Sequence, residues 1–159
     1  MTTTTHTAIG VLIGTSVGNP VLGFALGVLS HYLIDIIPHG DMHMRDSNNL
    51  VNKKNERMSH VFVITDVAIG ITLLNILGTV LPDDATRSTV YAVSIFGSIL
   101  PDLLVGINDL AKSTLGRKHT HFHFMFHDFI CRKHGDVKLR YSLATQAAFI
   151  FGVIAYFAY

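Results

Sequence analysis

The chain has 159 residues, 49% of them hydrophobic and only 14% charged, where a soluble domain carries about 25% charged residues. A net charge of +1 excludes a protein that works mainly by gripping nucleic acid phosphates, and a single cysteine, Cys131, excludes an internal disulfide. Length predicts one domain over residues 1–159, and the deficit of charge points to lipid as its solvent.

The first five residues form a polar leader. No Lys or Arg precedes Arg45, so the basic stretch of a secretory signal peptide is missing, and the first apolar segment is expected to stay in the mature protein. That segment, residues 8–18 with Thr7 as a cap, is about 16 Å long if helical, half the thickness of a hydrocarbon core. Its length leaves open whether it spans or re-enters. Asn19-Pro20 is a turn signal, and residues 20–37 make a second apolar run of about 27 Å. Gly10, Gly14, Gly18 and then Gly23, Gly27 recur at intervals of four, which lines small residues up where a second helix backbone can approach closely.

Residues 42–59 read as a polar loop. Residues 60–81 are a third apolar helix with one acid inside it, Asp66, and Pro82-Asp83-Asp84 breaks it. Residues 88–107 are a fourth, interrupted near its end by Pro101-Asp102. A polar, histidine-rich segment covers 108–140, and residues 141–159 are a last apolar helix. The fold class is therefore all-α: a polytopic helical membrane bundle with a short N-terminal half-spanning helix and an interfacial histidine-rich helix. Eleven of the 12 Lys and Arg residues fall in 42–59 and 108–140, which places both segments on the cytoplasmic side.

The chemistry centres on residues 29–41. His31 and Asp35 are four apart and share a helix face, Pro38 stops the helix, and His39 and Asp41 follow on the exit. Imidazoles and carboxylates at that spacing suit a divalent metal; the plainer alternative is a capped helix end with incidental histidines. The predicted topology brings His6, His60, Asp66 and Asp102 to the same face of the bilayer. An intramembrane acid such as Asp66 costs roughly 2.5–3.5 kcal/mol to insert, so it is a functional candidate by default. Its alternative is an acid satisfied by Thr65, Thr72 or Asn75. Asp102 has an alternative of its own, a carboxylate satisfied by backbone at a broken helix end. Both acids are candidates for catalysis as well as for metal binding. In the histidine-rich segment His119, His123, His127 and Cys131 form a stripe at spacing four beside Phe122, Phe126, Phe129 and Ile130. His127 is the favoured ligand there, with His123 and Cys131 behind it. This donor set suits zinc, with manganese or iron also open.

An N-terminal Thr-His before a glycine-spaced helix, then Ser-His-Tyr-Leu-Ile-Asp-Ile-Ile-Pro-His, Leu-Pro-Asp and Phe-His-Asp-Phe-Ile, resembles a family of membrane-bound metal-dependent hydrolases, itself similar to zinc-dependent phospholipase C. The resemblance implies a helical membrane protein with a His/Asp metal centre and a phosphoester substrate, carried by His6, His31, Asp35, His39, Asp102 and His127. It departs at Cys131, where a second histidine one turn after His127 is expected.

The function expected is hydrolysis of a phosphoester, of a membrane lipid or another substrate, by metal-activated water at the cytoplasmic face. The rival is a non-catalytic membrane protein that binds, senses or transports a divalent metal. The absence of Gly-x-Ser-x-Gly argues against a serine hydrolase, and no Gly-rich phosphate loop is present.

Overall fold

A computed structural model describes residues 1–41, 53–81, 84–111 and 113–159. Among these residues the chain is all helical, with seven helices and no strand: α1 (Thr3–Ser16), α2 (Pro20–Asp35), α3 (Lys53–Gly78), α4 (Ala85–Ala111), α5 (Thr114–His127), α6 (Cys131–His134) and α7 (Leu139–Ala158). Three of them contain stretches long and apolar enough to cross a membrane, Val61–Gly78, Ala85–Asn108 and Leu139–Ala158. Large apolar side chains such as Ile64, Ile71 and Phe151 point outward from α3 and α7, as lipid-facing residues do.

Helix α1 is the centre of the bundle and packs against α2, α3, α4 and α7. It begins five residues before the predicted start, and its cap is Thr2 rather than Thr7: the Thr2 hydroxyl accepts from the Thr5 amide. The polar leader is helical because the neighbouring helices satisfy it. Gln146 of α7 accepts from the Thr2 amide and from the hydroxyls of Thr2 and Thr5, and Asp66 of α3 accepts from the amides of Thr3 and Thr4.

Asn19 caps α2 by accepting from the Leu22 amide, and Pro20 opens it, where a missing N–H goes unneeded. The glycines do bring helices together, and the partner is α4. A Cβ at Gly10 would stand 2.6 Å from Ile95 Cα, and one at Gly27 would land on the Ser94 carbonyl oxygen. Gly18, counted in the same stripe, has no neighbour near enough to matter.

Two further expectations differ. Residues 53–59, taken for loop, are the first turns of α3, while 42–52 lie outside the described residues. Helix α4 runs unbroken past Pro101 to Ala111. A proline removes the donor to the carbonyl four residues before it, here Gly97; one residue on, the Ser98 carbonyl accepts from His31 Nδ1 at 2.8 Å, so α2 is bonded to α4 at this turn. The helix therefore continues where sequence alone suggests an interruption, and it does so along its close contact with α2.

Candidate metal centre

Five segments converge at one end of α1. Helix α1 supplies His6, α2 supplies His31 and Asp35, the turn after α2 supplies His39 and Asp41, α4 supplies Asp102, and α5 supplies His123 and His127. The innermost groups are sealed: His6 and His31 are 0% exposed and Asp35 is 1% exposed. Asp41 and Asp102, at 29% and 33%, mark where the cluster meets the outside.

The donor atoms fall into two groups that share Asp35: His6, His31, Asp35 and Asp102 in one, Asp35, His39 and His127 in the other. In the first, His31 Nε2 lies 3.3 Å from Asp35 Oδ2 and 3.7 Å from Asp102 Oδ1, and His6 Nε2 lies 3.1 Å from Asp35 Oδ1. The rings of His6 and His31 are stacked at 4.2 Å. His123 Nε2 stands beside this group, 3.5 Å from Asp102 Oδ1 and 3.9 Å from Asp35 Oδ2. In the second, His39 Nε2 and His127 Nε2 are 2.9 Å apart, and the two oxygens of Asp41 reach one ring each, at 3.3 and 3.2 Å. The Met1 nitrogen lies against Asp35 Oδ1 and 2.6 Å from His39 Nε2, between the two groups.

The ring tautomers set which nitrogens face the cluster. His31 Nδ1 faces the Ser98 carbonyl at 2.8 Å, His39 Nδ1 the Ile37 carbonyl at 2.8 Å, and His127 Nδ1 the Asp128 carboxylate at 2.9 Å. Each acceptor requires the hydrogen to sit on Nδ1, so in the neutral ring every Nε2 presents a lone pair. These lone pairs point at one another and at carboxylate oxygens. His31 Nε2 and Asp35 Oδ2 are buried without any hydrogen-bond partner. Acceptors gathered away from water repel unless a cation stands among them, and among the described residues the Met1 ammonium meets only Asp35 Oδ1 and His39 Nε2, leaving His31 Nε2 and Asp35 Oδ2 unmatched. The residues present therefore fit a divalent metal, and imidazole with carboxylate is an ordinary donor set for one.

The electrostatics outside the spanning segments agree. Burial opposes a charged carboxylate at Asp41, but hydrogen bonds from His127 and His39 overcome it and hold Asp41 well below the usual range. Burial likewise opposes a charge on His127, yet Asp41 raises its pKa above the ordinary imidazole value. Both shifts favour the pairing of a positive His127 with an ionised Asp41. Burial wins at His123, whose pKa falls to about 4, so this imidazole is neutral near pH 7.

Local structure explains the aim of the second group. Gly40, between His39 and Asp41, has φ +84°, a conformation in which a side chain is strained, and a Cβ there would stand 2.5 Å from Leu139 Cα. Its amide donates to Asp136 Oδ1 at 2.8 Å, which ties the turn to the segment before α7.

Of the predicted residues, His6, His31, Asp35, His39, Asp102 and His127 contribute to the two donor groups, and His123 borders them. Asp66 is placed elsewhere. Its carboxylate accepts from the Thr3 amide at 2.6 Å, the Thr4 amide at 3.1 Å and the Thr4 hydroxyl at 2.6 Å, so it caps α1. Thr72 and Asn75 bond instead to carbonyls of their own helix. Cys131 leaves the histidine stripe because α5 ends at His127. Its thiol lies 3.6 Å from Asp136, and burial with that carboxylate pushes its pKa up to about 11. The His60 side chain lies outside the described set. Sequence reasoning overlooked Asp128; the one available signal was its position directly after the favoured histidine. Comparison of the chain with protein-family models, with curated proteins and with solved structures returned no match.

Proposed function

We propose that this chain is a membrane-embedded, metal-dependent hydrolase of phosphoester bonds, with zinc as its metal and the lipids of its own membrane as one source of substrate. The observation that carries the reading is the meeting of buried Nε2 lone pairs and carboxylates with their Nδ1 hydrogens already engaged. His6, His31, Asp35 and Asp102 would hold one cation, and His39, His127 and Asp35, with Asp41 beside them, a second. A divalent cation in such a site supplies Lewis-acid polarisation of the scissile phosphoryl oxygen and acidifies water.

The remaining work falls to the chain. His123, neutral and outside both donor groups, is the unligated base: its Nε2, 3.5 Å from Asp102 Oδ1, takes the proton of the attacking water and returns it to the leaving alcohol as the P–O bond breaks. Sealing of His6, His31 and Asp35 keeps solvent from screening these charges. The likeness to membrane-bound metal-dependent hydrolases supports the choice of phosphoester. In this reading the basic ends of α5 and α6 and the cluster face the cytoplasm, following the distribution of Lys and Arg.

One observation favours a second reading. Ligands sealed to 0–1% exposure suit a protein that stores, senses or passes a metal as well as one that exposes it to substrate. The test is metal analysis of the detergent-purified chain beside Asp35→Ala, together with hydrolysis assays on phospholipid and on a generic phosphodiester. Stoichiometric metal in the wild type, lost with Asp35→Ala along with hydrolysis, supports the enzyme. Metal without hydrolysis of either substrate leaves the second reading, and unchanged metal content in Asp35→Ala overturns both.

A further inference from the structure

We propose that Asp128, which is not one of the grouped donors, is a positioning residue for the second of them: it fixes His127 so that Nε2 is the ligating nitrogen. The inference rests on the metal reading above and concerns how one ligand is held.

His127 is the last residue of α5, so no further helical turn braces its ring on the C-terminal side. Asp128 follows as the C-cap, its own amide donating to the Phe124 carbonyl at 3.1 Å, and its side chain is 9% exposed. From there Oδ1 reaches His127 Nδ1 at 2.9 Å, while Oδ2 lies 3.6 Å from the guanidinium of Arg132 at the surface. A carboxylate fixed at Nδ1 allows one neutral tautomer, with the hydrogen on Nδ1. Nε2 is then the nitrogen turned towards His39, 2.9 Å away, and towards Asp41. A carboxylate behind a ligating imidazole also strengthens the ring as a donor.

His127 differs in this respect from the other two anchored rings. His31 and His39 are held by backbone carbonyls, of Ser98 and Ile37, which no substitution can remove. His127 is held by a side chain, so its second partner can be changed without touching any ligand.

The experiment uses the full chain in detergent with cobalt(II) as the probe, followed by its visible absorption and by competition with a chelator. The variants are Asp128→Ala, Asp128→Asn and, as a control that leaves the carboxylate in place, Arg132→Ala. Asp128→Ala is expected to weaken cobalt binding about 10- to 100-fold and to change the absorption bands. Asp128→Asn, which keeps the size and one acceptor but not the charge, should fall between Ala and wild type, and Arg132→Ala should match wild type. Wild-type affinity and spectrum in Asp128→Ala would overturn the proposal. So would a loss explained by a lower melting temperature of the metal-free protein, since that is a structural role. If Asp128→Ala does not fold, the isosteric Asn variant decides by the same measures. Failure of the wild type to bind cobalt at all would remove the metal reading and this inference with it, whereas cobalt bound equally by wild type and variants removes this inference alone.

Discussion

Replacing Gly27 with alanine should damage the centre without touching a ligand. A Cβ at that position lands on the Ser94 carbonyl oxygen and stands 2.9 Å from the Ser98 amide nitrogen, both backbone atoms of α4 that no rotamer change can clear. Ordinary contact between non-bonded heavy atoms begins near 3.5 Å, so α2 and α4 must separate by about 1 Å. One turn further along both helices, His31 Nδ1 meets the Ser98 carbonyl at 2.8 Å. An opening of about 1 Å there takes that pair beyond hydrogen-bond range and frees the ring that presents Nε2 to Asp35 and Asp102. Overpacking of a close contact costs about 1–3 kcal/mol, and the lost hydrogen bond about 1 kcal/mol more. The assays are thermal unfolding of the detergent-purified protein, with and without added zinc, and zinc affinity by chelator competition. Gly27→Ala should melt lower in both conditions and bind zinc at least tenfold more weakly, while Gly18→Ala, which meets nothing within 4 Å, should behave as wild type. A Gly27→Ala protein with unchanged melting and unchanged zinc affinity would refute the close approach of α2 to α4 as the means of aiming His31.

Asp66→Asn should lower stability by about 2 kcal/mol, because a carboxylate that accepts from two amides and a hydroxyl at the start of α1 is replaced by a weaker acceptor. Its zinc stoichiometry at saturating metal should stay that of wild type; loss of zinc with unchanged melting would mean that Asp66 is a ligand after all. Gly40→Ala should weaken zinc binding through His39 and Asp41 and cost at least about 1–2 kcal/mol for a side chain forced into a left-handed conformation. The check is zinc affinity beside that of Gly135→Ala, whose φ of +81° is also one that side chains rarely adopt but where a Cβ meets nothing within 4 Å. Cys131 should resist alkylation at neutral pH, with a rate that rises towards an inflection near 11, because burial and then Asp136 hold its thiol protonated. The folded pKa lies above that of an unfolded thiol, about 8.5, so this group's contribution to stability is complete below that pH and is lost as pH rises from there towards the folded value. An alkylation inflection at or below 8.5 would contradict the environment described for it.

Much of this architecture was legible in the order of residues. Long apolar runs need internal hydrogen bonding in lipid, which only a helix provides within one segment, so α3, α4 and α7 follow from hydropathy. His31 and Asp35 share a face through the period of the helix, and Pro38 with the residues after it had to bring His39 and Asp41 out nearby. Glycine spacing announced a close helix contact, though not with which helix. Tertiary structure decided the rest, because it depends on which groups meet across distances that no local pattern encodes. Asp66 is an acid in an apolar helix by sequence; it became a cap because the first turn of α1, with unpaired amides, arrives beside it. The polar leader became the start of the central helix for the same reason. Pro101 did not end α4, which runs on along its contact with α2. The division of the ligands into two groups around Asp35, and the tautomers that aim every anchored Nε2 inward, arise only once a carbonyl from α4, a carbonyl from the turn after α2 and the Asp128 carboxylate stand behind their respective rings.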